Sequence, residues 1–302
     1  SVWFTLEAWR LGPAGAPAGG ALRDYLELTK PSVTWLILMS TAVGFYLGSA
    51  DAWTQVLLIH LLLGTALVAG GTSALNQWME RDADGRMRRT QDRPLPAGRL
   101  EPRCAFWFGA ALSAAGTAYL TLAVNFLTGS LAAFTCLSYL LGYTPLKSRS
   151  PLSTFVGAFP GAMPILMGWT GARNQLSIEG WILYGLLFLW QFPHFLAIAT
   201  LYREDYQRAG IRMLPVIDPD GTATGRRIVA YTAALLLLSA APALVGLNGN
   251  VYLLGALALG LAFLYCGVQM ARRHTKIQAR RLLQASVFYL PLVYGLMVLD
   301  KL

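Results

Sequence analysis

"VLLIHLLLGTALVAGGTSALNQWMERDADGRMRRTQDRPLP", residues 56 to 96, opens as an uncharged apolar run and closes with five arginines and four acids in its last twenty-one positions. The uncharged part, 52 to 75, exceeds the roughly 20 apolar residues a helix needs to cross a bilayer. The charges therefore fall where a helix would leave the membrane. Composition agrees, with 55% of the 302 residues hydrophobic and 13% charged, against about a quarter charged in soluble domains. Further uncharged stretches lie at 33–49, 104–146, 150–172, 180–202, 228–271 and 282–299. Two of these are too long for one crossing. They break at "VNFLTGS" (124–130) and "GLNGN" (246–250), where Asn and Gly favour a turn.

The expectation is an all-α integral membrane protein with nine transmembrane helices, at about 33–49, 52–76, 104–124, 128–146, 152–171, 180–202, 228–247, 250–271 and 282–300. They form one membrane domain over 26–302, after a flexible segment at 1–25 that contains "GPAGAPAGG". The net charge of +9 is placed as a membrane protein places it rather than as a nucleic-acid binder would. With a cytoplasmic N-terminus, 22 of the 24 basic residues fall in the tail and inner loops, leaving Arg173 and Lys301 outside with the C-terminus. Cys104, Cys136 and Cys266 show no CxxC or metal-ligand spacing and read as packing residues.

Polar groups in or beside the bilayer are costly and so are candidates for function. Asn76, Glu80 and Asp84 are spaced i, i+4, i+8, which turns each by only about 40° from the last, onto one face of the helix end. Asp82 falls about 160–200° away from its neighbours. An amide and two carboxylates on one face suit Mg²⁺, a hard ion usually held by one or two carboxylates plus substrate phosphates. The plainer reading is a solvated helix end neutralised by arginine. Arg88, Arg89 and Arg93 follow in a loop stiffened by two prolines, and their planar forks match phosphate oxygens. Acids for a metal and arginines for phosphate point to a polyphosphate ligand.

The next charged loop, "YTPLKSRS", holds Tyr143, Lys147 and Arg149. Later, "WQFPHFLAIATLYREDYQRAGIRMLPV" sets Gln191 and His194 inside an apolar span and Arg203, Glu204, Asp205 and Tyr206 at its exit. This exit lies four spans after the first acidic end and so faces the same side. The pattern predicts two parallel four-helix repeats plus a ninth helix, with a shared site between the two acidic ends. His194 follows Pro193, and the pair also fits a kink with an interhelical hydrogen bond. His60 and His274 read as structural, the latter within a basic, lipid-contacting cluster.

"NQWMERDADGRMRRTQDRPLPAGRL", "YTPLKSRSPLSTFVGAFPGAMPILMGW" and "WQFPHFLAIATLYREDYQRAGIRMLPV", in this order, resemble the protoheme farnesyltransferases (heme O synthases) of the UbiA superfamily of intramembrane prenyltransferases. The resemblance runs from about residue 26 to the end of the chain. It implies a farnesyl diphosphate donor, a heme b acceptor, Mg²⁺, and release of pyrophosphate. Heme O would pass to heme A synthase or terminal oxidase assembly factors. The first acidic motif maps on Asn76, Glu80 and Asp84, the phosphate-binding arginines on Arg89 and Arg93, and the loop lysine on Lys147. The second motif departs from the paired aspartates of quinone-making relatives: Asp205 matches, with Glu204 beside it. Metal ligands are then Glu80, Asp84 and Asp205, while Arg89, Arg93, Tyr143, Lys147, Gln191, Glu204 and Tyr206 face substrate. Trp190, Gln191, Pro193, His194 and Phe195 resemble the heme branch, with His194 among the catalytic residues as iron ligand, propionate contact or water-orienting group. Tyr143, Phe155, Trp169 and Phe192 are candidates to hold an allylic cation.

A quinone-type prenyltransferase would share the diphosphate site. A transporter would bury charge near the bilayer midplane, whereas here nearly all charge lies at one surface. The N-terminus lacks the Arg- and Ser-rich, acid-poor character of a transit peptide, so the expected location is a bacterial inner membrane.

Overall fold

The computed structural model describes residues 20–49 and 55–302. Most of the segment read as flexible, residues 1–19, lies outside them, while residues 20–25 stand in helix α1, Gly20–Leu28. The long helices are α2 (Pro31–Gly48), α3 (Gln55–Asp84), α4 (Pro102–Ala123), α5 (Phe126–Leu137), α7 (Ser153–Arg173), α8 (Ile178–Leu201), α11 (Thr222–Leu238), α13 (Asn250–Arg273) and α14 (Lys276–Leu299). Short helices α6 (Thr144–Leu146), α9 (Arg203–Arg208), α10 (Leu214–Ile217) and α12 (Ala241–Leu244) lie between them, and Ser138–Tyr143 is π-helical, joining α5 to α6. No β-strand occurs among the described residues.

Both expected breaks are present. Asn125 ends the first run, its side chain accepting from the Thr128 N–H to cap α5 (2.8 Å) and donating to the Thr170 carbonyl (2.9 Å). The second break turns at Gly246, whose φ of 74° suits a residue without a Cβ. Three helices run further than the apolar runs predict. α3 continues to Asp84, α11 begins at Thr222 and α14 begins at Lys276, where Thr275 caps it through the Gln278 N–H. Hydropathy marks the part of a helix in lipid, and charge in the aqueous turns does not stop the helix.

Among the described residues, eight helices are long and apolar enough to cross a membrane, against the nine expected. The helix that falls short is α7, which carries Pro160, Pro164 and four glycines and buries fourteen of its 21 residues. Its neighbours explain this composition. α7 packs against α2, α5 and α8, so it meets protein more than lipid. A Cβ on Gly44 of α2 would stand 2.1 Å from the Ile165 carbonyl oxygen, and one on Gly168 of α7 would stand 2.1 Å from that of Thr41. Glycine on both helices lets the two backbones touch, which is how helices associate where apolar burial gives little drive.

Around that crossing, α2–α3–α4–α5 pack in sequence, as do α7–α8–α11–α13, and α14 closes against α13, α8 and α2. At the end away from the charged loops, Arg173 donates to the Gly48 carbonyl (2.6 Å) and Lys301 to those of Tyr46 (2.9 Å) and Ser49 (2.6 Å). Both cations thus sit on the C-terminal carbonyls of α2, where the helix dipole favours positive charge.

Candidate active site

α3 positions the first half of the site. Its last turns carry Asn76, Glu80 and Asp84 in one row, and each is tied to a different cation. The Lys30 ammonium donates to Asn76 Oδ1 (3.3 Å), Lys147 pairs with Glu80 (2.7 Å), and Arg93 pairs with Asp84 (2.8 Å). The Asp84 side chain is 2% exposed, whereas that of Asp82 is 80% exposed on the other side of the helix, as the angles require. Asn76 also donates to the Thr144 hydroxyl (3.1 Å), which ties the row to the turn below the π segment.

The loop after α3 is pinned at both ends. The Thr90 hydroxyl donates to the Asp84 carbonyl (2.8 Å), and Arg99 reaches Asp24 (2.8 Å) and Glu27 (3.0 Å) of α1. Lys30 is held at φ 47° ahead of Pro31, a conformation that costs a non-glycine residue about 1–3 kcal/mol. That backbone aims its ammonium at Asn76. Burial, reinforced by Arg93 and Lys147 and opposed by Glu80 and Asp84, pushes the Lys30 ammonium down to about 7.

The π segment brings Tyr139 and Tyr143 together, with ring centroids 5.0 Å apart. The Lys147 ammonium lies 4.4 Å from the Tyr143 ring and 6.0 Å from that of Tyr139. Burial works against the charge on Lys147, but Tyr143, Glu80 and Tyr139 outweigh it and hold this ammonium above the ordinary lysine range. π turns inside α-helices are rare and concentrate at functional sites.

The second half is built differently. α8 ends at Leu201, and Glu204 and Asp205 ride on the six-residue α9. Glu204 is largely exposed and pairs with Lys276 (2.8 Å), which holds its carboxyl below the usual range, while Asp205 pairs with Arg208. Three contacts bring the loops together. Met87, just past Asp84, packs with Ala199, Ala209 and Met213, with Tyr206 against them. The Arg89 guanidinium lies over the Tyr202 ring at 5.3 Å, and the Arg212 N–H donates to the Lys147 carbonyl (2.8 Å).

Of the expected residues, Asn76, Glu80, Asp84, Arg93, Tyr143 and Lys147 form one ionic cluster. Arg89 and Tyr206 stand in the seam with the second loop, and Glu204 stands aside. Gln191 is buried and gives both amide hydrogens to backbone, to the carbonyls of Ala158 (3.1 Å) and Leu187 (3.2 Å), with its oxygen against Gly161. His194 meets Ser286 of α14 (2.8 Å) and stacks on Trp190 at 4.6 Å. Of the aromatic candidates, Tyr143 adjoins the cluster, Phe155 and Phe192 pack with Phe159 and Phe188, and Trp169 lies beside Arg173 at the opposite end. Lys30 and Tyr139 were not expected from sequence. Spacing held one clue, since Tyr139 precedes Tyr143 by one turn.

Among the described residues, no three His, Cys, Asp or Glu side chains gather closely enough to hold a metal ion. Each acid is drawn to a cation of the protein instead. The donor set is still one of carboxylate oxygens, the type that a hard divalent cation takes.

The model of the UbiA prenyltransferase family matches residues 37–291. A protoheme IX farnesyltransferase of Solibacter usitatus is 54% identical over 93% of this chain and 99% of its own, and one of Koribacter versatilis is 45% identical over 96% and 97%. Among solved structures, one from work on digeranylgeranylglyceryl phosphate synthase superposes with a TM-score of 0.78, 18% identity, and 92% and 98% of the two chains covered. A UbiA homolog from Archaeoglobus fulgidus, bound to GPP and Mg²⁺, superposes with a TM-score of 0.62, 18% identity, and 91% and 99% covered. At that identity the structures speak for the fold, and the two farnesyltransferases carry the rest. The chain belongs to the UbiA prenyltransferase family and, within it, to the protoheme IX farnesyltransferases.

Proposed function

We propose that the protein transfers the farnesyl group of farnesyl diphosphate to a vinyl group of heme b, with addition of water, giving heme O and pyrophosphate. The observation that carries this reading is the set of acid–cation pairs Glu80–Lys147, Asp84–Arg93 and Asp205–Arg208 at one end of the bundle. A diphosphate arriving with a divalent ion can exchange partners with all three at little loss of charge pairing. Glu80, Asp84 and Asp205 would hold Mg²⁺, which when bound neutralises charge gathering on the pyrophosphate as the allylic C–O bond breaks. Arg93 and Lys147, released from their acids, donate to phosphate oxygens with Lys30 and Arg89. Asn76 keeps Lys30 aimed at the site.

The C–O electron pair leaves with pyrophosphate. The vinyl π pair forms the new C–C bond to the allylic carbon, and water adds to the cation left beside the porphyrin ring and loses a proton to solvent. Tyr143 and Tyr139 present ring faces at the point where Lys147 now sits, and a desolvated ring face is worth about 2 kcal/mol to a passing carbocation. Burial among helices keeps bulk water from quenching that cation first. His194, stacked on Trp190 within α8, serves the acceptor end.

The same reading sets nine crossings, with α7 as the one sheltered by its neighbours, in two parallel four-helix repeats closed by α14. It places the charged loops and N-terminus in the cytoplasm of a bacterium, the C-terminus outside, and heme A synthase or oxidase assembly factors as recipients of the product. It is supported by the placement of 22 of the 24 basic residues. The test is incubation of the purified protein in detergent with heme b, farnesyl diphosphate and Mg²⁺, followed by mass analysis of the extracted heme. A gain of farnesyl plus water is expected; unchanged heme with pyrophosphate still released would move the acceptor to another aromatic ring.

A further inference from the structure

His194, Ser286 and Trp190 fix more than a helix contact. The Ser286 hydroxyl lies 2.6 Å from the Leu283 carbonyl oxygen, a separation at which two oxygens repel unless a proton lies between them. That proton is the only one the hydroxyl has. Ser286 Oγ therefore meets His194 Nδ1, 2.8 Å away, as an acceptor, and Nδ1 must carry the ring hydrogen. The serine is itself held, since Trp190 donates its indole N–H to the Ser286 carbonyl (2.9 Å) while stacking on the imidazole with 22° between the planes. One nitrogen and one ring face are thereby fixed. Nε2 is left with an in-plane lone pair, it makes no hydrogen bond to a described residue, and it is not among the sealed-in polar atoms.

We infer that Ser286 locks His194 in the tautomer whose Nε2 lone pair coordinates the iron of the heme acceptor, so that His194 orients the macrocycle and Ser286 acts as a positioning residue behind it. The inference rests on heme being the acceptor. An imidazole that gives Nδ1–H to a protein oxygen and Nε2 to a metal is the ordinary arrangement of a ligating histidine. The tautomer also excludes the opposite use, in which Nε2 would donate to a heme propionate. His194 stands seven residues before the end of α8, about 10 Å along the axis from the acidic loop. Iron bound there leaves the porphyrin edge free to reach toward the diphosphate end.

The test is heme binding to the full-length protein in detergent without farnesyl diphosphate, read by resonance Raman and electron paramagnetic resonance. The parent should show histidine-ligated iron. His194→Ala should lose that signature and regain it with added imidazole. Ser286→Ala should weaken heme binding about 10- to 100-fold, and Ser286→Thr should restore it. An unchanged ligation signature in His194→Ala, or Ser286→Ala binding heme as tightly as the parent, would overturn the inference while leaving heme as acceptor. So would unaltered ligation with a product that lacks the added water, which would make His194 a base toward water. A parent that neither binds nor farnesylates heme would overturn the acceptor reading itself.

Discussion

The two acidic ends of the bundle face the same loops yet are built to different standards. The first is the tail of an unbroken 30-residue helix, with its three polar side chains buried or nearly so and each tied to a cation. The second lies past the end of α8 on a six-residue helix, with Glu204 largely exposed and Asp205 paired to a residue one turn away. The two ends thus offer positions of similar chemistry in different settings: Asp84 is sealed at 2% exposure on a long helix, whereas Asp205, at 13%, is held by a neighbour on its own short one. Fixed groups in a dry site act on charge without rearranging first, whereas an exposed carboxylate such as Glu204 is already satisfied by water.

On that contrast, Asp84→Asn should lower farnesyl transfer at least ~10³-fold and Asp205→Asn only ~10-fold, measured as turnover with extracted heme. Equal losses would mean the second half is as finely set as the first. Next in size, Glu80→Gln and Lys147→Met should each lower turnover ~10²-fold, and the double variant should lose little more, because the two residues act as one unit. A fully multiplicative loss would show that they work separately.

A smaller effect follows from Lys30. Between about pH 7 and the ordinary lysine value, this side chain binds fewer protons in the fold than in the unfolded chain. The stability of the unliganded protein should therefore rise with pH across that window, while affinity for the diphosphate should fall as the ammonium is lost. Lys30→Arg, charged throughout, should flatten the KM profile above pH 7. Smallest of all, Glu204→Gln should change turnover less than ~2-fold and the melting temperature by no more than ~1–2 °C, since an exposed pair contributes little. A large loss would bring Glu204 into the site from which its exposure removes it.

Much of this is legible in the sequence. The apolar runs located the spans, the turn residues divided the two longest, and i, i+4, i+8 spacing found the row on α3. The nine positions from Asp84 to Arg93 put that pair in one motif. Glu80 and Lys147 each stand out in the sequence, but not as partners, because 67 positions separate them and only packing of α3 on the π segment closes the gap. Lys30 escaped notice because its role depends on an uncommon backbone conformation. Arg99 escaped because its acids lie on α1, in sequence that reads partly as a flexible lead-in. α7 has the length of a span without the hydropathy, since hydropathy records contact with lipid and α7 spends its surface on neighbouring helices. Gln191 was legible as polar and buried, but its amide is used on backbone carbonyls that no sequence pattern reveals.

The π turn at Ser138–Tyr143 makes the site depend on the winding of its residues as well as their kinds. It spreads over a wider turn the residues that an α-helix would wind more tightly. Rewinding these six residues as ordinary α-helix, with none of them lost, would swing every later residue by about 100°. Tyr143 would leave its place beneath Lys147, and Lys147 would lose Glu80, with no catalytic side chain altered. The winding of this turn is therefore a determinant of the site in its own right, one that a substitution favouring regular α-helix could undo without touching a single ligand.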